Sequence, residues 1–186
     1  MKKKIEYNYQ STVSLESTNF IISFFLKRVY RQALKLTKKK NFSKIFDFGS
    51  GTRNLKKINF KTYKLNYTDY DILRDDENIF DIIDKLDQKT LFISLNVFMY
   101  LEERFIDELV FFLKEKGINI LLNISKNYLF KKKLFLIFNN YKKAFTNTLT
   151  YETQIKLIEK HYKIVDKRNL YFSDLIYCEP KTKITY

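Results

Sequence analysis

The sequence predicts a three-layer α/β domain, with a mostly parallel sheet and helices on both of its faces. Three observations carry that prediction. A short apolar run, Ile45-Phe46 and Phe48, leads through Gly49-Ser50-Gly51 into residues with helical spacing. Strand-like and helix-like segments alternate from residue 44 to residue 125. A pair of strand-like segments, 162–171 and 175–178, then closes the chain.

Length and composition bound the rest. A chain of 186 residues fits a single domain, 1–186, with a helical segment over 1–40 and a core over 42–178. One cysteine, Cys178, and one histidine, His161, leave no disulfide framework and no expected metal site. The N-terminal Met1-Lys-Lys-Lys imitates the start of a signal peptide. Glu6 and the polar run Asn8 to Thr18 follow it, and the apolar stretch Phe20 to Leu26 ends at Lys27-Arg28. We read no signal peptide and expect a cytoplasmic protein.

The net charge of +14 suits nucleic acid or an anionic membrane surface. The chain is also rich in Lys, Asn, Ile, Phe and Tyr, with three glycines, one proline and no tryptophan. That bias is the mark of an AT-rich genome, where codon supply raises lysine. A solvated basic surface is therefore the reading, and a nucleic-acid partner is not favoured.

Taking the elements in order, Ser17 or Thr18 can cap a helix running to about Lys38, with Ile22, Phe25, Leu26, Val29, Ala33 and Leu36 on one face. Core packing is preferred for that helix over peripheral contact with a membrane. Residues 44–48 form a buried strand. Gly49 and Gly51 make the tight turn after it, since glycine permits positive φ and close approach of a ligand. Thr52 or Asn54 then caps a helix. Such a turn aims N–H groups and the positive end of a helix at an anionic ligand. Alternating Tyr63, Leu65 and Tyr67 predict a second strand ending near Asp69, followed by a short helix over 77–88. Leu91 to Leu101 reads as a buried strand entering a loop. A helix to Lys116 ends at Gly117, and residues 118–125 form another strand. Residues 127–145 interleave basic and aromatic side chains, and Thr150 opens a last helix before the strand pair. Pro180 is expected beyond the final strand.

Asp47 lies two residues before the first glycine, at the end of an apolar strand, where a carboxylate needs a cationic ligand group or the turn's own N–H groups to satisfy it. An acid about 20 residues past the glycine turn, at the end of the second strand, is the position that holds ribose hydroxyls in nucleotide folds. Asp69 fits that separation, and Asp71 is the alternative if the strand runs further.

Asp47-x-Gly49-x-Gly51 after a strand resembles the first motif of the class I S-adenosylmethionine-dependent methyltransferases, with Arg53 where a third glycine is usual. Ser94-Leu-Asn-Val-Phe-Met-Tyr-Leu101 resembles the family's fourth-strand motif, with Tyr100 where histidine is frequent. The resemblance covers roughly residues 42–178 and is to small bacterial members. It implies a Rossmann-like sheet of seven strands with the last antiparallel, and S-adenosylmethionine as cofactor. By implication Asp47, Gly49 and Gly51 hold the donor's amino acid end, with Arg53 near its carboxylate. Asp69 holds the ribose and Asn96 lines the site. The adenine contacts, drawn in the family from the third strand, have no clear place here, because that strand is compressed into residues 71–74 or absent.

The implied reaction is methyl transfer to a small molecule or a glycan, lipid-linked glycans included. Residues 127–145 correspond to the part that commonly shapes the family's substrate pocket. Tyr100 and His161 are the general-base candidates. A tyrosine pKa of about 10 makes a poor base near neutrality, and His161 reads as a surface residue. Two alternatives stand beside this reading. One is an RNA methyltransferase, suggested by charge but lacking an Asn/Asp-Pro-Pro-aromatic signature at the fourth strand. The other is a non-catalytic binding protein of the same fold.

Overall fold

The computed structural model describes residues 20–126, apart from 52 and 73, and residues 149–182; the side chains of 20–23 are not included. Six strands form one sheet: β1 (Lys44–Phe48), β2 (Asn66–Tyr70), β3 (Thr90–Leu95), β4 (Asn119–Ser125), β5 (Tyr162–Asn169) and β6 (Ser173–Pro180). Their spatial order is β2-β1-β3-β4-β6-β5. The first four are parallel, β6 runs antiparallel to β4, and β5 runs antiparallel to β6.

Both faces of this sheet are covered, which explains the near-continuous apolar runs in its central strands. The helices are α1 (Phe20–Lys39), α2 (Asn54–Thr62), α3 (Ile79–Asp84), α4 (Glu103–Glu115) and α5 (Tyr151–His161). Val29, Ala33, Leu34 and Leu36 of α1, with Leu55 of α2, pack with Ile45, Leu91, Ile93 and Leu121 on one face. On the other, Ile79 and Ile83 of α3, Ile106 to Leu113 of α4 and Ile158 of α5 pack with Phe46, Phe48, Phe92 and Ile176. Each set follows the period of two along the strands and the helical period along the helices.

The expected elements are present with revised ends. Gly117 takes φ 68° just past α4, as a C-terminal glycine should. Thr150 caps α5 by accepting from the Thr153 N–H at 3.2 Å. Pro180 is the last residue of β6, opposite Tyr162, and not beyond the strand; it sits at the end of the ladder, where a missing N–H costs little. Within Leu91 to Leu101, read as a strand entering a loop, the strand ends at Leu95 and the loop contains a 3₁₀ turn over Phe98–Tyr100.

The sheet has six strands among the described residues, where the resemblance implied seven. β2 is an edge strand as a result. The chain after it is drawn into turns instead: the Arg74 and Asp75 N–H groups donate to the Asp71 carbonyl at 3.0 and 2.9 Å, and Asn78 then caps α3. The acids Asp75, Asp76 and Glu77 along this stretch are poor strand formers. The predicted caps Ser17, Thr18 and Thr52, and the basic-aromatic stretch 127–145, lie outside the described residues.

Candidate active site at the carboxyl edge

In an open α/β sheet, ligands bind past the carboxyl ends of the strands where the strand order reverses. Here that point lies between β1 and β3, since β2 flanks β1 on one side and β3 and β4 lie on the other. Gly49, with φ 76°, and Gly51, with φ 49°, make the turn at the end of β1. A Cβ on Gly49 would lie 2.4 Å from Val97 Cγ2, just past β3, so the two strand ends meet across this crevice with no room for a side chain. A Cβ on Gly51 would meet nothing nearer than the Gly49 carbonyl oxygen at 3.9 Å, so its backbone conformation is what requires glycine.

The N–H groups of this turn are less free than the sequence led us to expect. Those of Gly49 and Ser50 both donate to the Tyr70 carbonyl oxygen, at 2.8 and 3.1 Å. The cause is register: Phe48 pairs with Tyr70, so the last carbonyl of β2 lies beside the turn. Arg74 braces the turn from the far side, its guanidinium donating to the Gly51 carbonyl while pairing with Asp71.

Asp47 is buried, and among the described residues neither a cationic group nor the turn satisfies it. The Tyr67 hydroxyl on the neighbouring strand donates to its carboxylate. Burial pushes the Asp47 carboxyl from its ordinary value of 3.8 up to about 7, the Tyr67 hydrogen bond opposing and nearby Asp69 adding. Burial likewise raises the Tyr67 phenol.

Asp69 lies opposite Asp47, one residue before the end of β2. Its carboxylate faces the start of α2, with Arg53 Nε at 2.5 Å, Lys56 Nζ at 3.5 Å and Ser50 Oγ at 3.4 Å. Arg53 stands where the third glycine would be and keeps the left-handed conformation of a glycine, φ 56°, immediately before α2. Asn54 is the first residue of that helix and not its cap; its buried Oδ1 has no hydrogen-bond partner among the described residues. Asp71 is the first residue beyond β2. It is buried, paired with Arg74, and its N–H donates to Asp75 at 2.6 Å.

Past β3, Asn96 takes φ 63°, which asparagine tolerates better than most residues. Its N–H donates to the Asn123 carbonyl at 3.1 Å, and its Oδ1 accepts from Ser125 Oγ at 3.2 Å. Tyr100 ends the 3₁₀ turn at this same edge. The Met99 carbonyl accepts the Leu149 N–H at 2.9 Å, which brings the start of α5 here as well.

His161 is not brought to this edge. It ends α5 where β5 begins, and Tyr162 pairs with Pro180 at the amino end of the parallel strands. A seven-residue strand, roughly 20 Å at about 3.3 Å per residue, separates the two edges. His161 Nε2 instead lies 2.8 Å from Asp107 Oδ1 on α4. Sequence position alone could not show this, because the edge occupied depends on how many strands intervene and in which direction they run. The reading of the sequence also missed Val97, Arg74 and Tyr67. Tyr67 reads as a strand residue from the sequence, but its pairing with Asp47 appears only in the register.

No family model and no curated protein matches this sequence. Solved structures do. Magnesium protoporphyrin IX methyltransferase from Synechocystis PCC 6803, with bound SAH, is similar over 88% of this chain and 88% of its own, at 13% identity and TM-score 0.55. Human N-acetylserotonin methyltransferase in complex with SAM is similar over 86% of this chain and 55% of its own, at 15% identity and TM-score 0.56. The bifunctional kinase-methyltransferase WbdD is similar over 83% of this chain and 39% of its own, at 10% identity and TM-score 0.50. The chain has the Rossmann-like fold of the class I S-adenosylmethionine-dependent methyltransferases.

Proposed function

We propose that this chain is an S-adenosylmethionine-dependent methyltransferase whose acceptor is a small molecule or a glycan, lipid-linked glycans included. The observation that carries the reading is the glycine turn at the switch point between β1 and β3. Gly49 is pressed on Val97 there, and two acids flank the end of β2. The buried Asn54 Oδ1 and Ser94 Oγ, without hydrogen-bond partners among the described residues, lie at the same edge, so the residues present fit a polar ligand. Structural neighbours with SAM or SAH support the choice of ligand.

When bound, S-adenosylmethionine supplies a methyl group already activated by its sulfonium. The chain then has mainly to orient donor and acceptor, which proximity achieves. The turn at Gly49–Gly51 holds the amino acid end of the donor, and Arg53, half-exposed, offers a guanidinium to its carboxylate. Asp71, just past the strand, or Asp69, just before its end, accepts the ribose hydroxyls. Asp47 is a positioning residue that fixes β1 against β2 through Tyr67. Asn96 and Tyr100 line the acceptor side. His161, at the opposite edge, takes no part.

Calorimetric titration of the full chain with S-adenosylmethionine and S-adenosylhomocysteine tests this. Micromolar binding, weakened at least tenfold by Asp71→Ala or Asp69→Ala, is the expected result. No binding by the folded wild-type chain favours the second reading, a non-catalytic relative. The specific observation behind that reading is Arg53, a side chain in the third-glycine position whose guanidinium already occupies Asp69.

A further inference from the structure

A second cluster of charged and polar side chains lies at the carboxyl edge, away from the glycine turn. Asp174 is the second residue of β6, and because β6 is antiparallel its start lies at the carboxyl end of β4, with Ile124 opposite Asp174 and Ser125 opposite Ser173. The Asp174 side chain is fully buried, yet it gathers three polar groups. Lys126 Nζ lies 2.6 Å from Oδ1, Lys167 Nζ lies 3.2 Å from Oδ2, and the Tyr151 hydroxyl donates to Oδ2 at 2.8 Å. They come from three places: the residue just past β4, the second half of β5 and the first residue of α5.

Two ammonium groups on one carboxylate leave an excess of one positive charge. Both lysines keep a face to solvent, with side chains 30% and 50% exposed, while the acid has none. The first turn of α5, with its positive end, opens at the same place. Lys167 also lies 5.6 Å from the centre of the Tyr151 ring, which limits its freedom. The Lys126 main chain is tied down by its N–H to the Phe172 carbonyl at 3.0 Å. Asp174 itself is no base: burial would raise its carboxyl, but Lys126, Tyr151 and Lys167 outweigh that and hold it below the usual range.

We propose that Lys126 and Lys167, aligned on the buried Asp174, recognise an anionic group, phosphate or carboxylate, carried by the methyl acceptor. The inference rests on the methyltransferase reading for the identity of the ligand as an acceptor. β6 is two strands from β3, about 10 Å at the usual strand spacing of about 4.8 Å. An acceptor reaching from the β3 end to this cluster carries its anionic group about that far from its reacting atom. The two lysines are specificity-determining residues, and Asp174 and Tyr151 are positioning residues.

Thermal unfolding of the full chain tests this, with inorganic phosphate and acetate added separately against chloride at equal ionic strength. The wild-type chain is expected to gain stability with phosphate or acetate in a saturable way. Phosphate alone indicates a phosphorylated acceptor, and acetate alone a carboxylate. Lys126→Gln with Lys167→Gln should weaken that binding at least tenfold, and Lys→Arg at both positions should retain it. Because the double glutamine variant leaves Asp174 without its cations, a triple variant adding Asp174→Asn keeps the measurement readable if the double variant fails to fold. Equal response to phosphate, acetate and chloride, or an unchanged response in the triple variant, overturns the proposal. S-adenosylmethionine titration of the same variants separates the two readings. Donor binding should persist without the lysines, whereas its absence from the wild type sinks the methyltransferase reading and leaves the anion site measurable.

Discussion

Gly49 and Val97 are packed so closely that a single methyl group on the glycine would sit 2.4 Å from Val97 Cγ2. The contact joins the ends of β1 and β3 at the point where the strand order reverses. Two constraints coincide there, a positive φ and the absence of space. Gly49→Ala should therefore cost about 2–4 kcal/mol, combining left-handed strain with overpacking. Urea unfolding measures it. Val97→Ala in the same chain should recover the packing part and leave the strain, so a double-mutant cycle with no coupling would show that the contact is not what forbids a side chain.

Asp47 links protonation to folding. The native carboxyl keeps its proton up to about 7, while the unfolded chain releases it near 3.8. Between those values the native state binds more protons, so the contribution of Asp47 to stability falls as pH rises, by up to about 1.4 kcal/mol per unit. It is level below the lower value and above the upper one. Asp47→Asn should remove this component, which unfolding at pH 5 and pH 8 would reveal as a smaller difference between the two. An unchanged difference would place the titration elsewhere.

Arg53 is an arginine in a glycine conformation. Replacement by alanine removes the pair with Asp69 and keeps the strain, whereas replacement by glycine removes both. Arg53→Gly should accordingly be more stable than Arg53→Ala by about 1 kcal/mol. Equal stabilities would mean that the backbone has relaxed out of the left-handed region.

His161 and the acids at the end of β2, Asp69 and Asp71, should separate cleanly in donor binding. His161→Ala lies at the wrong edge and should leave the S-adenosylmethionine dissociation constant within about twofold of the wild type, a change worth less than about 0.5 kcal/mol. Asp69→Ala or Asp71→Ala should weaken it at least tenfold. A large effect at His161 would contradict the placement of α5 and β5.

Much of the architecture was legible in the residues themselves. Buried strands such as Lys44–Phe48 and Asn119–Ser125 show as apolar runs because both faces of the sheet are covered. The glycine turn was conspicuous in a chain with three glycines, and Gly117 and Thr150 marked helix ends by backbone conformation and by side-chain capping. These are local matters, decided by the neighbours along the chain.

What only the tertiary structure decided is which side chains meet. The Asp47 carboxylate awaited a partner, and the parallel register of β1 and β2 supplied Tyr67 from 20 residues away. Two turn N–H groups expected to face a ligand were claimed by Tyr70, whose carbonyl the same register brings alongside. Asp174 lies 48 residues past Lys126 in sequence and 2.6 Å from it in space, because β6 runs antiparallel beside β4. A chain's own pattern specifies its elements through short-range sterics and burial. Strand order and direction, which arise only when the whole sheet is assembled, determine the edge to which each functional group is delivered.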